Sequence, residues 1–153
     1  SEDLVSLLPN VAIPEVTWEA NYLGDKSIDT IVLTNESGLS KRKRENIFKI
    51  IRAFHIRKLV VVNPTGSSYL LCVRSNDLDR AFLTEALQLV PIFEIRLHWG
   101  YDYKFARRLS EALANPFNNT LRLVEADFQV TTSVELKQIS ETEGYVSVVL
   151  TTK

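Results

Sequence analysis

Between Ile28 and Trp99 the apolar residues switch between strand and helix periods in a fixed order: strand, helix, two strand-like runs joined by a tight loop, a second helix, another strand. That order restricts topology far more than composition does. Residues 27–34 are β-branched, carry Ile28, Ile31 and Leu33, and end in the turn-rich Asn35-Glu-Ser-Gly38, which predicts a strand. From Ser40, a candidate N-cap, Ile47, Ile50, Ile51 and Phe54 recur at i, i+3, i+4 and i+7, so a helix with one apolar stripe is expected to about Phe54. Residues 57–63, including Leu59-Val-Val-Val62, read as a strand. They are broken by Pro64-Thr-Gly66, and the strand-like residues 68–73 follow at once. Two such runs across so short a turn predict an antiparallel hairpin. Ser75-Asn-Asp77 then offers N-caps to a helix with Leu78, Phe82, Ala86 and Leu89 near one face, ending before Pro91. Residues 92–97 alternate as a half-buried strand does, with Ile95 and Leu97 on one side.

Beyond Gly100, Asp102 is placed to cap a third helix through Phe105, Leu109, Ala112 and Leu113, and Asn115-Pro116 stops it. Further strands are expected at residues 121–128, 130–136 and 145–151. In the N-terminal segment Val16-Thr-Trp18 is a candidate extra strand and residues 3–8 a candidate helical turn. The organisation that results is an N-terminal extension, 1–27, packed on a βαββαβ core, 28–98, with 99–153 adding a helix and strands to the same domain.

A chain of 153 residues with 45% hydrophobic and 24% charged residues can bury one sizeable core. Its formal net charge of −1 argues against a surface built throughout to neutralise phosphates, so any nucleic-acid contact is a local patch. The longest apolar runs fall far short of the roughly 20 residues of a membrane span. With no basic-then-apolar leader and no Met, Ser1 reads as the start of an excised domain or processed product. The single cysteine, Cys72, cannot form an internal disulfide and sits in an apolar pattern, which favours a reducing compartment, cytoplasmic or nuclear. The sequons at Asn35 and Asn118 are short enough to arise by chance.

Strand, helix, hairpin, helix, strand is the order of the split β-α-β arrangement, a ferredoxin-like two-layer α/β (α+β) fold with both helices on one face of an antiparallel sheet. Ile31-Val-Leu-Thr-Asn35 resembles the first-strand signature of the RNA recognition motif. Ser67-Ser-Tyr-Leu-Leu-Cys-Val-Arg74 stands where that family's third-strand signature belongs, and Ser75-Asn-Asp-Leu-Asp-Arg-Ala81 resembles the opening of its second helix. Residues 28–98 thus look like a degenerate member. In that family, sheet-face aromatics stack on bases, each worth roughly 1–3 kcal/mol. The matching positions here are Val32, Tyr69 and Leu71, of which only Tyr69 can stack, and the Gly usual before it is Ser68. Domains of this shape without their aromatics resemble protein-binding members. A second resemblance, to leucine-rich repeats, rests on the triplets Ile28/Ile31/Leu33, Ile56/Leu59/Val61, Ile92/Ile95/Leu97 and Leu121/Val124/Ala126, at intervals of 28, 36 and 29 residues. It implies a short parallel solenoid, although the middle interval is long and any parallel α/β sheet yields similar triplets.

Lys41-Arg42-Lys43-Arg44 is the densest charge cluster and lies in the first turn of a helix, where the macrodipole disfavours cations by roughly 0.3–1 kcal/mol each. It fits an anion, a phosphate backbone, an acidic partner or a nuclear-import receptor, or else a solvated turn offset by the Glu45/Lys49 pair. His55 and His98 do not have zinc-ligand spacing, and one cysteine completes no Cys-rich site, so neither metal nor cofactor is expected. Pro64-Thr-Gly-Ser-Ser68 lacks the GxxxxGK[ST] pattern of a phosphate loop. Trp99-Gly-Tyr101-Asp-Tyr103 clusters aromatics that serve as partner anchors if exposed and as core if covered. The expectation is a non-catalytic protein-interaction module of a larger assembly. It would use a sheet face around Val32, Tyr69 and Leu71, with Trp99 and Tyr101, or an exposed strand edge, homodimerisation being one form. The alternative is RNA or single-stranded nucleic acid, held by Lys41, Arg42, Lys43 and Arg44 on phosphates and Tyr69 on a base.

Overall fold

The computed structural model describes residues 16–24, 27–35, 41–63, 72–74, 77–78, 80–100, 103–115 and 119–152. The fold is mixed α/β: strands β1 (Val16–Gly24) and β2 (Ser27–Asn35), helix α1 (Lys41–Arg52), β3 (His55–Asn63), the short β4 (Cys72–Arg74) and β5 (Asp77–Leu78), α2 (Arg80–Leu89), β6 (Ile92–Gly100), α3 (Tyr103–Ala114), α4 (Asn119–Phe128), β7 (Val130–Gln138) and β8 (Glu143–Thr152). The expected strand at 16–18 is the start of β1. The expected helical turn at residues 3–8 lies outside the described residues.

One open six-stranded sheet runs in the order β1-β2-β3-β6-β8-β7, and β4 and β5 form a separate two-stranded pair. The expected hairpin is therefore corrected. Both neighbours of β3 are parallel to it: β2, with Ile31 opposite Leu59, and β6, with Val61 opposite Ile95. No edge of β3 is left for a strand across the Pro64 bend, and residues 72–74 pair with β5 instead. The physical reason lies in Leu59-Val-Val-Val62, in which Leu59, Val60 and Val61 are all buried. A run apolar on both faces suits a central parallel strand rather than one arm of a half-exposed hairpin. The order is not that of a ferredoxin-like sheet. Nor is it a parallel solenoid: β8 runs antiparallel to both β6 and β7. The triplets on β2, β3 and β6 do fall on consecutive parallel strands, but residues 121–128 form a helix rather than the expected strand. Leu121 and Val124, three apart, are buried together with half-buried Phe128 beside them, which is helical spacing.

All four described helices contribute to one apolar cluster. Ile47, Phe48, Ile50 and Ile51 of α1, Phe82, Leu83, Ala86 and Leu87 of α2, Ala106 and Leu113 of α3, and Leu121 and Val124 of α4 meet the sheet residues Leu59, Val61, Phe93, Ile95, Val146 and Val148. Phe82 sits at the centre, its ring 5.4 Å from Phe48 and 5.8 Å from Phe93. At the end of α1, the amides of Ala53 and Phe54 bond back to the carbonyls of Ile50 and Ile51, tightening the last turn before β3. At the end of α4, Gln129 takes a φ of 52° and turns the chain directly into β7. The described helices thus occupy one side of the sheet. Val60, Glu94 and Ser147 are buried on the other side, where no described helix packs.

Candidate functional site on the sheet face opposite the described helices

Alternation along the strands sends Lys58, Val60 and Val62 of β3, Glu94, Arg96 and His98 of β6, and Tyr145, Ser147 and Val149 of β8 to the face away from the helices. Register sets them in rows. Val32, Val60, Glu94 and Val149 stand side by side across β2, β3, β6 and β8, and the adjoining row holds Thr34, Val62, Arg96 and Ser147. Val32, Val62, Val149 and Tyr145 are half-buried.

Glu94 organises this face. Its side chain is only 6% exposed and accepts from Lys58 Nζ at 2.9 Å, Arg96 Nε at 2.7 Å and Ser147 Oγ at 3.0 Å, so one carboxylate ties β3, β6 and β8 together. The Arg96 guanidinium lies over the Tyr145 ring, 5.4 Å from its centroid, and that ring stands 5.1 Å from the ring of His98. Opposite Tyr145 on β7, Lys137 pairs with Glu135 on the same face.

The electrostatics of the cluster follow from these contacts. Burial pushes the Glu94 carboxyl up, but the hydrogen bonds and positive charges of Arg96 and Lys58 together outweigh it and hold the group below the ordinary glutamate range. Glu94 in turn holds the Arg96 guanidinium firmly cationic. His98 is pulled down by burial and by the nearby Arg96 charge, with Glu143 opposing, so the imidazole is neutral at pH 7. A carboxylate fixed in its charged form by two cations is a poor general acid, and its oxygens are already committed to donors. Lys58, Arg96 and Lys137 are set against Glu94 and Glu135, which leaves the face close to neutral. The arrangement is suited to binding: an apolar valine strip beside a pre-formed Arg-Tyr stack.

Among the described residues no group of His, Cys, Asp or Glu is placed to hold a metal ion, and no helix is long and apolar enough to cross a membrane. The chain matches no protein-family model, no curated protein and no solved structure.

Of the residues expected to bind a partner, Val32 lies on this face. Trp99 is in β6 opposite Gly144, its side chain outside the described residues, as are Tyr69, Leu71 and Tyr101 altogether. In the basic turn Lys41 and Arg42 are exposed, and the Lys43 side chain is not among those described. Arg44 turns inward instead, 5.3 Å above the Phe82 ring, where burial lowers its pKa and the charge of Glu85 partly compensates. A hollow of about 490 Å³ there is lined by Lys41 and Arg44 but equally by Glu45 and Glu85, which cancels much of its attraction for a phosphate.

Sequence reasoning passed over Glu94, Arg96 and Tyr145. A signal existed for the first two. Alternation in 92–97 that sends Ile95 and Leu97 inward sends Glu94 and Arg96 to the opposite face, two apart and oppositely charged. Nothing local to Tyr145 says that β8 lies against β6.

Proposed function

We propose that this chain is a non-catalytic interaction module that takes a protein partner on the sheet face opposite its described helices. The observation that carries this reading is the Arg96 guanidinium stacked on Tyr145 and anchored by Glu94, beside the half-buried Val32, Val62 and Val149. Arginine and tyrosine are the residue types that dominate interface energetics when rigidly held at the centre of a patch, and here both are held before any partner arrives. The partner chemistry that fits is an apolar strip flanked by one carboxylate, which would reach the part of Arg96 left exposed. The balance of charges supports a protein over a nucleic acid, whose backbone needs a run of uncompensated cations.

The test is capture from native extract by the full chain, with and without nuclease and at low and high salt, repeated with the variants Val149→Arg and Arg96→Met after circular dichroism has confirmed their fold. We expect a partner that survives nuclease and high salt, and that each variant loses. A partner released by nuclease, with binding that falls steeply as salt rises and depends on Lys41 and Arg42, would establish the nucleic-acid reading instead. Equal capture by the wild type and both variants would remove this face from consideration.

A further inference from the structure

The two edges of the main sheet are built differently. β1 is irregular, its pairing with β2 shifting between Ala20 and Tyr22 and again between Tyr22 and Gly24. Such bulges twist an edge away from further pairing. β7, at the other edge, pairs with β8 in unbroken register over all nine residues, Val130 opposite Thr152 to Gln138 opposite Gly144. A long regular edge is a template for another strand.

Which backbone groups point outward follows from the hairpin. The Ile139 amide donates to the Glu143 carbonyl at 2.9 Å, and the Thr152 amide, opposite Val130, points away from β7 to the Pro91 carbonyl. Antiparallel ladders alternate, so odd-numbered residues of β7 bond to β8. The amides and carbonyls of Val134, Leu136 and Gln138 therefore face the open edge. Their side chains lie on the side of the described helices, and Glu135 and Lys137 lie on the opposite side with side chains about half exposed, at 58% and 50%.

We propose that a second copy of this chain pairs with β7, antiparallel about a two-fold axis at Leu136, to give one sheet continuous across two molecules. Charge selects the register. Centred on Leu136, the pairing sets Glu135 against the partner copy's Lys137 and Lys137 against its Glu135, both as the close, non-hydrogen-bonded type of pair. Moved so that Glu135 meets its own copy, or Lys137 meets its own copy, the same strand opposes like charges. In the Leu136 register the outward groups of Leu136 bond to those of the partner's Leu136, and those of Val134 to Gln138. The large apolar side chains exposed among the described residues also belong to this edge: Ile139, 63% exposed, continues β7, and Leu123, 42% exposed, is on α4, which packs against it. The pairing runs through the backbone edge of β7 rather than through the Arg96–Tyr145 stack, and it is read from self-association rather than from capture of another protein, although Glu135 and Lys137 lie on the same face as that stack.

Sedimentation equilibrium over a concentration series tests it with a charge exchange. E135K places Lys against Lys and K137E places Glu against Glu, and both changes are at exposed positions that leave folding intact, checked by thermal melts. Each variant alone should dimerise about tenfold or more weakly than the wild type. An equimolar mixture of the two should recover dimer, because one copy then offers two lysines where the other offers two glutamates; the E135K/K137E double variant should also recover it. A monomeric wild type, a dimer indifferent to either single change, or a mixture that stays monomeric would each overturn the proposal.

Discussion

Replacing Glu94 with Gln tests the electrostatic centre of the face opposite the described helices. Glutamine preserves shape and one acceptor oxygen but removes the charge that Lys58, Arg96 and Ser147 all address. Breaking a fully buried ion pair from one side costs about 3–5 kcal/mol, because the remaining charge is stranded. Here the stranded partners are less confined: the Lys58 and Arg96 side chains stay 28% and 32% exposed and can turn their ends to water. The cost at neutral pH should therefore be about 2 kcal/mol, or roughly 4–8 °C in Tm for a domain of this size.

The pH dependence supplies the sharper test. The folded-state pKa of Glu94 is depressed, so its contribution to stability is fully present above the ordinary glutamate value of about 4.3 and is lost as the pH falls through the lower folded value. Protonated glutamate then resembles glutamine. Urea unfolding followed by circular dichroism at pH 7 and near pH 3 should show a wild-type advantage that is larger at the first than at the second. A gap of the same size at both, or none at pH 7, would refute the assignment of Glu94 as a charged anchor.

Other consequences are open to measurement. His98 has a folded pKa below its ordinary value, so part of wild-type stability present above about pH 6.5 should fade as the pH falls through the folded value; His98→Gln should flatten that segment of the stability profile, and NMR titration of the imidazole checks it directly. Gln129→Gly should raise stability by up to about 1 kcal/mol by relieving a side chain at positive φ, whereas Gln129→Val should lower it, both read from chemical unfolding. Phe82→Ala should cost about 3–5 kcal/mol, since the fully buried ring is in contact with Phe48, Phe93 and the Arg44 guanidinium; Arg44→Ala should cost about 1 kcal/mol, and a double-mutant cycle between the two should show coupling of the cation to the ring.

Periodicity made α1, α2, α3, β2, β3, β6, β7 and β8 legible because each carries its own apolar repeat. Pairing was less accessible. Pro64-Thr-Gly66 between two β-rich runs has the local chemistry of a hairpin, and turn chemistry says nothing about competitors elsewhere in the chain. The stronger signal was Leu59-Val-Val-Val62, since a strand apolar at consecutive positions needs cover on both faces, and Val60 is 1% exposed on the side opposite the described helices. Residues 121–128 misled for a related reason: Leu121, Val124 and Ala126 satisfy a strand triplet, while Leu121, Val124 and Phe128 satisfy a helix, and only packing beneath β7 separates the two. Of the site, the face shared by Glu94 and Arg96 could be read from alternation alone. That Lys58 and Ser147 would complete it depends on β3 and β8 flanking β6, which no local pattern encodes.

Placing every described helix on one side leaves the central strands with a second face that must be stabilised by other means. Across β3 the residue is apolar, the buried Val60; across β6 it is ionic, a glutamate whose partners come from the strand before, the same strand and the strand after. The position of that glutamate matters for register. β6 pairs parallel with β3 on one side and antiparallel with β8 on the other, and a slip of one residue in β8 would turn Val146, Val148 and Leu150 outward and bring Tyr145, Ser147 and Val149 against the helix layer. Such a slip would also remove Ser147 from the Glu94 carboxylate and Tyr145 from beneath Arg96. The network that forms the candidate binding surface therefore also discriminates the native pairing from its nearest competitor, and a substitution there should show its effect in strand register as well as in affinity.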